Sequence, residues 1–222
     1  MNIIKNLCVI GAILFGLYLA FTSTEPRNGI LILGDKQTIE EIKVDQKDKV
    51  KSIDLYKVKI TKHNGHPVLI MDQKTAKDIV TKGVLREGEN SNIAVSDPIH
   101  SLPEIKNNDA VLLADKKYQN QKEIKIADRE ITVSYGGNTW FGHSRDMAKE
   151  EVILIVNNSI FNQIPVEEID MGILELYKDY GNNNGIVDMN AAKSVRTENE
   201  FTQIFESHSN GIKCSKGLSI IK

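Results

Sequence analysis

The sequence predicts an α+β fold: a mixed, strand-rich domain, in one lobe or two, that follows one N-terminal transmembrane helix and lies outside the membrane. Three observations predict it: an uncharged apolar run near the amino terminus, several segments that alternate apolar and polar residues, and short helical patterns between them. Of the 222 residues, 41% are hydrophobic and 26% are charged, which is the composition of an ordinary folded chain.

The apolar run "LCVIGAILFGLYLAF", Leu7–Phe21, contains no charged residue, and Lys5 stands just before it. With the uncharged residues 22–24 it approaches the roughly 20 residues that span a bilayer. It is either a cleaved signal peptide or a retained anchor with Lys5 inside. We favour the anchor, because Ala20 and Thr22 are poor positions for cleavage. No cysteine stands directly after the run for a lipid to modify. Both interpretations place residues from Glu25 onward outside the membrane.

The first half of the exported part contains two strand-to-helix patterns. "GILIL" predicts a strand, after which Asp35 is placed to cap a short helix whose apolar face carries Ile39 and Ile42. "YKVKI" and "PVLIM" predict a hairpin, because the Asn-Gly pair between them tolerates the positive φ of a tight turn. Asp72 then caps a second helix, which Gly83 ends.

The second half contains further strand patterns and one more helical pattern. "AVLLADKKY" predicts a strand that passes into a helical turn, and "EIKIADREITV" predicts a hairpin. A glycine-rich loop, "YGGNTWFGHSRD", separates this hairpin from the strand patterns "EVILIV" and "MGILELY". "TENE", Thr197–Glu200, is a capping box for a last helix. The predicted division is an anchor or uncleaved signal segment at 1–24, an extracytoplasmic α+β domain at 25–210, and a C-terminal tail at 211–222.

Charge and motifs exclude several function classes. The formal net charge of −2 gives no basic excess for nucleic acid, so we expect no nucleic-acid partner. The chain contains no Gly-x-x-x-x-Gly-Lys-Ser/Thr run for nucleotide phosphates. Its two cysteines, Cys8 and Cys214, form no internal disulfide framework if the first lies in a bilayer.

Two patterns resemble metal sites only superficially. His63 and His66 are three residues apart, but the Asn-Gly pair between them favours a turn, and catalytic zinc needs a third ligand. "DYGNNNGIVDMN", Asp179–Asn190, resembles a calcium loop, but Tyr180 and Ala191 stand where acidic ligands belong. We therefore predict no metal, no cofactor and no catalytic residue.

The loop "GGNTWFGHSRD", Gly136–Asp146, is the strongest candidate for a functional segment. It either tucks its aromatic residues against the sheet or forms a recognition loop. A third interpretation is an exported hydrolase that uses His143 with Ser144 or Asp146, although a triad requires residues that converge in space. The residues of the predicted recognition loop are Trp140, Phe141, His143 and Arg145.

The order of the segments resembles the extracytoplasmic domain of FtsX/MacB-like ABC transporter permeases. "DAVLLADKKYQNQKEIKIADREITVSYGG" and "EEVILIVNNSIFNQI" carry the resemblance, which extends over most of the range from Gly29 to Ser207. The resemblance implies a non-catalytic domain that couples to a separate ATPase subunit and to further membrane subunits. Three more membrane helices should follow, and "GIKCSKGLSIIK" stands where the second would begin, so we expect either a truncated or split permease or a single-pass protein with a similar domain.

The resulting prediction is a non-catalytic binding or coupling module of the bacterial cell envelope, held in the cell membrane by a single pass with its C-terminal domain outside. A peptide or a protein is the expected ligand. The alternative is a stand-alone envelope protein that sequesters a peptide or partner protein, and the exported hydrolase is the third hypothesis.

Overall fold

The computed structural model describes residues 27–88, 96–105, 110–142, 152–180, 199–204 and 209–220. Within them lie three α-helices: α1 (Lys36–Asp45), α2 (Gln73–Thr81) and α3 (Asn158–Gln163). Residues 199–204 are also helical, and two short 3-10 turns occur. The strands are β1 (Arg27–Gly34), β2 (Val50–His63), β3 (His66–Asp72), β4 (Leu85–Glu87), β5 (Asp97–Pro98), β6 (Ala110–Ala114), β7 (Glu123–Ile126), β8 (Arg129–Gly137), β9 (Thr139–Phe141), β10 (Val152–Val156), β11 (Glu168–Tyr180) and β12 (Ile212–Leu218).

Nine of these strands form one sheet in the order β12-β1-β11-β2-β3-β10-β6-β8-β7, and β5-β4-β9 form a small second sheet. Neighbours in the large sheet are antiparallel except for the pairs β3/β10 and β6/β8, which are parallel. The strand-rich α+β prediction is thus confirmed. The sequence left open whether the domain has one lobe or two, and the predicted strands that the structure describes belong to one large sheet. Among the described residues, no helix has the length and apolarity to cross a membrane. The predicted transmembrane segment lies outside the described residues.

Local sequence chemistry accounts for the first two helices. Asp35 caps α1 by accepting a hydrogen bond from the backbone N–H of Thr38 at 2.9 Å, and the Thr38 hydroxyl donates to the same carboxylate at 2.8 Å. These hydrogen bonds hold the pKa of Asp35 below its usual value. Asp72 caps α2 in the same way through the N–H of Thr75, and Gly83 follows that helix with φ of 66°. Both caps were predicted and are confirmed.

The hairpin predicted at residues 63–66 is also confirmed. Asn64 and Gly65 take φ values of 51° and 83°, and His63 pairs with His66 across the turn. β7 lies close to this hairpin, since Nδ1 of His63 is 3.0 Å from the carbonyl oxygen of Lys125. His63 and His66 are therefore turn residues, as the Asn-Gly pair indicated.

The large sheet is buried on both faces. On one face, α2 covers the first apolar cluster, and the small sheet contributes Leu85 and Phe141 to it. On the other face, α3 covers a second cluster and α1 covers a third. β6 and β10 are buried along their whole length, which explains why their sequences are continuous apolar runs and do not alternate.

The glycine-rich loop is partly a strand. The pairing of β8 with β6 extends to Gly137, and β9 follows at once and pairs with β4. A loop was expected because Gly136 and Gly137 weaken strand patterns. Gly136 nevertheless belongs in the sheet, because an ideal Cβ there would lie 2.5 Å from Cγ1 of Val111.

The carboxyl-terminal part of the chain returns to the sheet. Residues 212–218, which the sequence assigned to a C-terminal tail, form β12 and pair with β1. In the predicted last helix, Phe201 and Ile204 are buried as expected. Arg27 lies over the Phe201 ring, 4.9 Å from its centroid, which connects this helix to the start of β1. Thr197 of the capping box lies outside the described residues.

Candidate functional site

The candidate site is a crevice at the carboxyl ends of β3 and β10. These two strands are parallel neighbours, with Val68 paired to Val152 and Asp72 paired to Val156. Asp72 is the last residue of β3, and Asn157 directly follows β10. Each caps a helix, because a short side-chain oxygen can accept from the first turn's free N–H groups. Asp72 accepts from the N–H of Thr75 at 2.6 Å, and Asn157 accepts from the N–H of Ile160 at 2.8 Å.

The two helices leave the sheet on opposite faces. Ala76 and Ile79 of α2 pack in the same cluster as Leu69 and Met71 of β3. Ile160 and Phe161 of α3 pack instead with the residues of β3 that point the other way, Val68 and Ile70. Adjacent parallel strands whose helices diverge in this manner leave a gap at their carboxyl ends, and open α/β sheets place ligands in such gaps.

The gap is a crevice of about 360 Å³. Four lining residues belong to α2 and one begins α3, which places the opening between the two helix starts. The ammonium groups of Lys74 and Lys77 are exposed and form no ion pair with any described residue. The lining residues are Asp72, Gln73, Lys74, Lys77, Asp78 and Asn158.

Charges of both signs therefore meet in the crevice. Asp78 also acts on the neighbouring Tyr56: burial, the negative charge of Asp54 and then that of Asp78 raise the pKa of the Tyr56 phenol to about 12. Tyr56 consequently stays protonated and neutral over the physiological range. The crevice offers two ammonium groups, two carboxylates and two side-chain amides, which can hydrogen-bond a zwitterionic group.

The buried Lys59 supports the α3 side of the crevice. Its side chain is 3% exposed, and Nζ donates to the carbonyl oxygens of Phe161 at 2.9 Å and Ile164 at 2.7 Å. These carbonyls lie at the end of α3 and also accept from the backbone N–H groups of Ile164 and Val166, and a cation is favoured there by the helix dipole. Nζ further lies 4.9 Å from the centroid of the Phe161 ring. Lys59 thus fixes α3 to β2.

Two residues of the predicted recognition loop lie in the core, and the other two lie outside the described residues. Trp140 and Phe141 are each 1% exposed, and β9 pairs Trp140 with Arg86 of β4. Arg86 is itself buried and donates from Nε to the Ser96 hydroxyl at 3.1 Å. The two aromatic residues therefore tuck against the protein, as the first interpretation of the loop had it. His143 and Arg145 lie outside the described residues, so their role in recognition stays a prediction.

Other sequence candidates also fall outside the described part of the chain. Ser144 and Asp146 of the hydrolase hypothesis are among them, and so is nearly all of the calcium-like loop, residues 181–190. Within the described ranges, no group of three or more His, Cys, Asp or Glu residues is arranged for a metal ion.

Sequence reasoning missed the crevice but contained a signal for it. The runs "VLIMD" and "VILIVN" are both apolar strands followed at once by an Asx cap. The sequence pattern does not show that the two strands pair. This pairing brings the two caps together.

Comparison with known proteins identifies a family. A family model described as an uncharacterised lipoprotein family matches residues 27–208. A crystal structure of a protein from Bacillus anthracis that is named as a lipoprotein matches with a TM-score of 0.66 and 18% identity, over 87% of this chain and 99% of that chain. At that identity the match shows a shared fold. No curated protein matches the chain.

These matches overturn the resemblance to FtsX/MacB-like permeases, which was wrong. It depended on the order of apolar strands, and buried strands in unrelated folds share such patterns. The expectation of a truncated or split permease with a separate ATPase subunit loses its basis as well. The family model covers nearly the whole domain, and the chain belongs to this uncharacterised lipoprotein family.

Proposed function

We propose that this protein is a membrane-anchored, extracytoplasmic binding protein without catalytic activity, and that the crevice between α2 and α3 holds a small peptide by one of its ends. The observation that carries the proposal is the divergence of two helices from adjacent parallel strands, which opens a crevice with charges of both signs. Membership of a lipoprotein family supports an envelope location.

The chemistry of the crevice favours a peptide end over a purely anionic or cationic ligand. Lys74 and Lys77 can bind a carboxylate, whereas Asp78 can accept from an ammonium or amide N–H group. The six lining residues provide amines, carboxylates and amides, all of which can form hydrogen bonds with a peptide end. This supports a binding role, and we propose that the chain is not an enzyme.

Titration of the full-length protein with trialanine tests the proposal by NMR chemical-shift mapping. We expect saturable shifts of the backbone signals at residues 72–78, and a dissociation constant raised about tenfold by Lys74→Glu combined with Lys77→Glu, which corresponds to about 1.4 kcal/mol. Lys62→Glu, an exposed charge reversal on β2, is the matched control. Trialanine amide, which lacks the carboxylate, should bind more weakly. If the double substitution changes neither the chemical shifts nor the dissociation constant, the crevice is not the binding site.

For the anchor, we propose that the apolar segment Leu7–Phe21 is retained and crosses the membrane once. The family of lipoproteins raises the competing possibility of a lipid on a cysteine, and Cys8 is the cysteine that lies near the amino terminus. Cys8→Ser separates the two. We expect the variant to stay in the membrane fraction and wild type to incorporate no labelled palmitate. Release of Cys8→Ser into the soluble fraction would reject the single-pass proposal in favour of a lipid anchor.

A further inference from the structure

We infer that the protein stands end-on upon the bilayer, with the end of the large sheet where β1 starts resting against the phospholipid headgroups. The inference depends on the proposed retained anchor. It adds a second membrane contact, made by the folded domain itself. We call this end the tether-side end and define it by Arg27, Val50, Tyr180 and Leu218.

The strand directions place these four residues at one end. β1 is antiparallel to β11 and β12, so the start of β1 lies beside the last residues of both partners. Arg27 pairs with Tyr180, and Gly29 pairs with Leu218. β2 is antiparallel to β11 and starts at the same end, where Val50 pairs with Leu176.

The connection to the apolar segment is short. Arg27 follows Phe21 by six residues, and a fully extended chain of that length reaches at most about 20 Å. The tether-side end therefore cannot stand far from the bilayer surface, whereas the rest of the sheet extends away from it.

The exposed hydrophobic residues lie at this end as well. Among the described residues, the large hydrophobic side chains that are most exposed are Val44 at 70% and Tyr177 at 64%. Val44 is near the end of α1, which packs on one face of the sheet. Tyr177 lies on β11, three residues before Tyr180, and its N–H donates to the carbonyl of Lys49 at 2.9 Å.

The chemistry of this end suits a headgroup layer. Tyrosine places an apolar ring and a polar hydroxyl at a membrane–water interface, and lysine can extend its ammonium group to phosphate. Among the described residues, six cations and five anions lie here, so the contact does not require anionic lipid. These residues are Arg27, Lys43, Lys47, Lys49, Lys51 and Lys178, and Asp45, Asp48, Glu175, Asp179 and Glu200.

Quenching by headgroup spin-labelled lipid tests the inference in the full-length chain. The background is Cys8→Ser with Cys214→Ser, and single cysteines for an environment-sensitive fluorophore are introduced as Val44→Cys, Tyr177→Cys and, as the control at the opposite hairpin tip, Asn64→Cys. All three positions are exposed, so the label disturbs no packing. The protein is reconstituted in vesicles of phosphatidylcholine alone and in phosphatidylcholine mixed with phosphatidylglycerol.

We expect labels at 44 and 177 to be quenched several-fold more strongly than the label at 64, and to a similar extent in both vesicle types. Equal quenching at all three positions overturns the inference. Quenching at 44 and 177 only with phosphatidylglycerol would also overturn it as stated, because the contact would then depend on anionic lipid. Failure of the protein to float with the vesicles is a different outcome, since it rejects the anchor of the proposed function.

Discussion

Lys59 shows how one residue can stabilise an element from across the sheet. A lysine is rarely buried unless its ammonium group is fully engaged. Here the two carbonyls at the end of α3 and the Phe161 ring surround Nζ. The pattern "YKVKI" indicated the strand, but it places Lys57 and Lys59 equally on its polar side. Lys57 is exposed and Lys59 is buried, and this difference arises from the position of α3.

Lys59→Met should reduce the free energy of unfolding by about 2 kcal/mol, because two buried carbonyls lose a charged donor and keep only one backbone donor each, while the apolar stem is kept. Chemical denaturation followed by circular dichroism measures this change. Lys62→Met, at an exposed position on the same strand, should stay within about 0.5 kcal/mol of wild type. Equal losses in the two variants would contradict the assigned role of Lys59.

Tyr56 should make stability depend on pH in the alkaline range. Its pKa is about 12 in the folded chain and about 10 when exposed, so the unfolded state loses the proton first as the pH rises. The stabilisation from Tyr56 is therefore complete below pH 10 and is lost as the pH approaches 12. In Tyr56→Phe, the fall in unfolding free energy across this interval should be shallower, which denaturation curves at several pH values can measure. A fall of the same slope in both proteins would exclude this assignment.

At the scale of elements, helices that follow an apolar strand were predictable because their caps are encoded locally. Asp72 and Asp115 directly follow such a run, and Asp35 follows one after Gly34. Each accepts a hydrogen bond from its own helical turn. Local chemistry decides these features, so a linear sequence is sufficient to find them.

The elements that escaped prediction depend on partners distant in sequence. β9 is a strand because β4 pairs with it, and the crevice exists because β3 pairs with β10. The burial of Trp140 likewise depends on the small sheet that carries it. Hydrophobic periodicity contains no information about which strands become neighbours, so these features became visible only in three dimensions.

Gly172 determines how closely α1 packs upon the sheet. An ideal Cβ at this position of β11 would lie 2.7 Å from Cγ2 of Ile39. Gly172→Ala should therefore lower the free energy of unfolding by about 1–3 kcal/mol through overpacking. Ile39→Ala in the same chain removes the opposing atoms, so the double variant should be more stable than the sum of the single changes predicts. A double-mutant cycle measures this coupling, and additive losses would show that the two residues do not oppose each other.

At the scale of the whole molecule, the sheet is continuous from β12 to β7, and the chain returns at its end to cover the first strand. Leu218 and Ile220 are buried in the same cluster as Leu31 and Leu33. The domain prediction placed residues 211–222 in a tail, and the burial of Leu218 and Ile220 shows that this part of the chain contributes to the core.

Deletion of residues 212–222 should lower the thermal midpoint and promote aggregation, because it removes buried apolar side chains and leaves β1 as an unpaired edge. Thermal unfolding with light scattering is the measurement. Lys213→Ala, at an exposed position of β12, should leave both readouts close to wild type. A truncated chain as stable and monomeric as wild type would contradict a structural role for β12.

The position of β1 has a mechanical consequence. If the chain is held in the membrane by its amino terminus and pulled outward through a bound partner, the load enters the domain along β1. That strand is hydrogen-bonded on both sides, to β11 and to β12, and both neighbours run antiparallel to it. Force along the strand then acts at right angles to the hydrogen bonds of two ladders and loads them together. Such a shear geometry resists extension far better than peeling a strand from an open edge, so an amino-terminal anchor would load the domain in a direction that it resists.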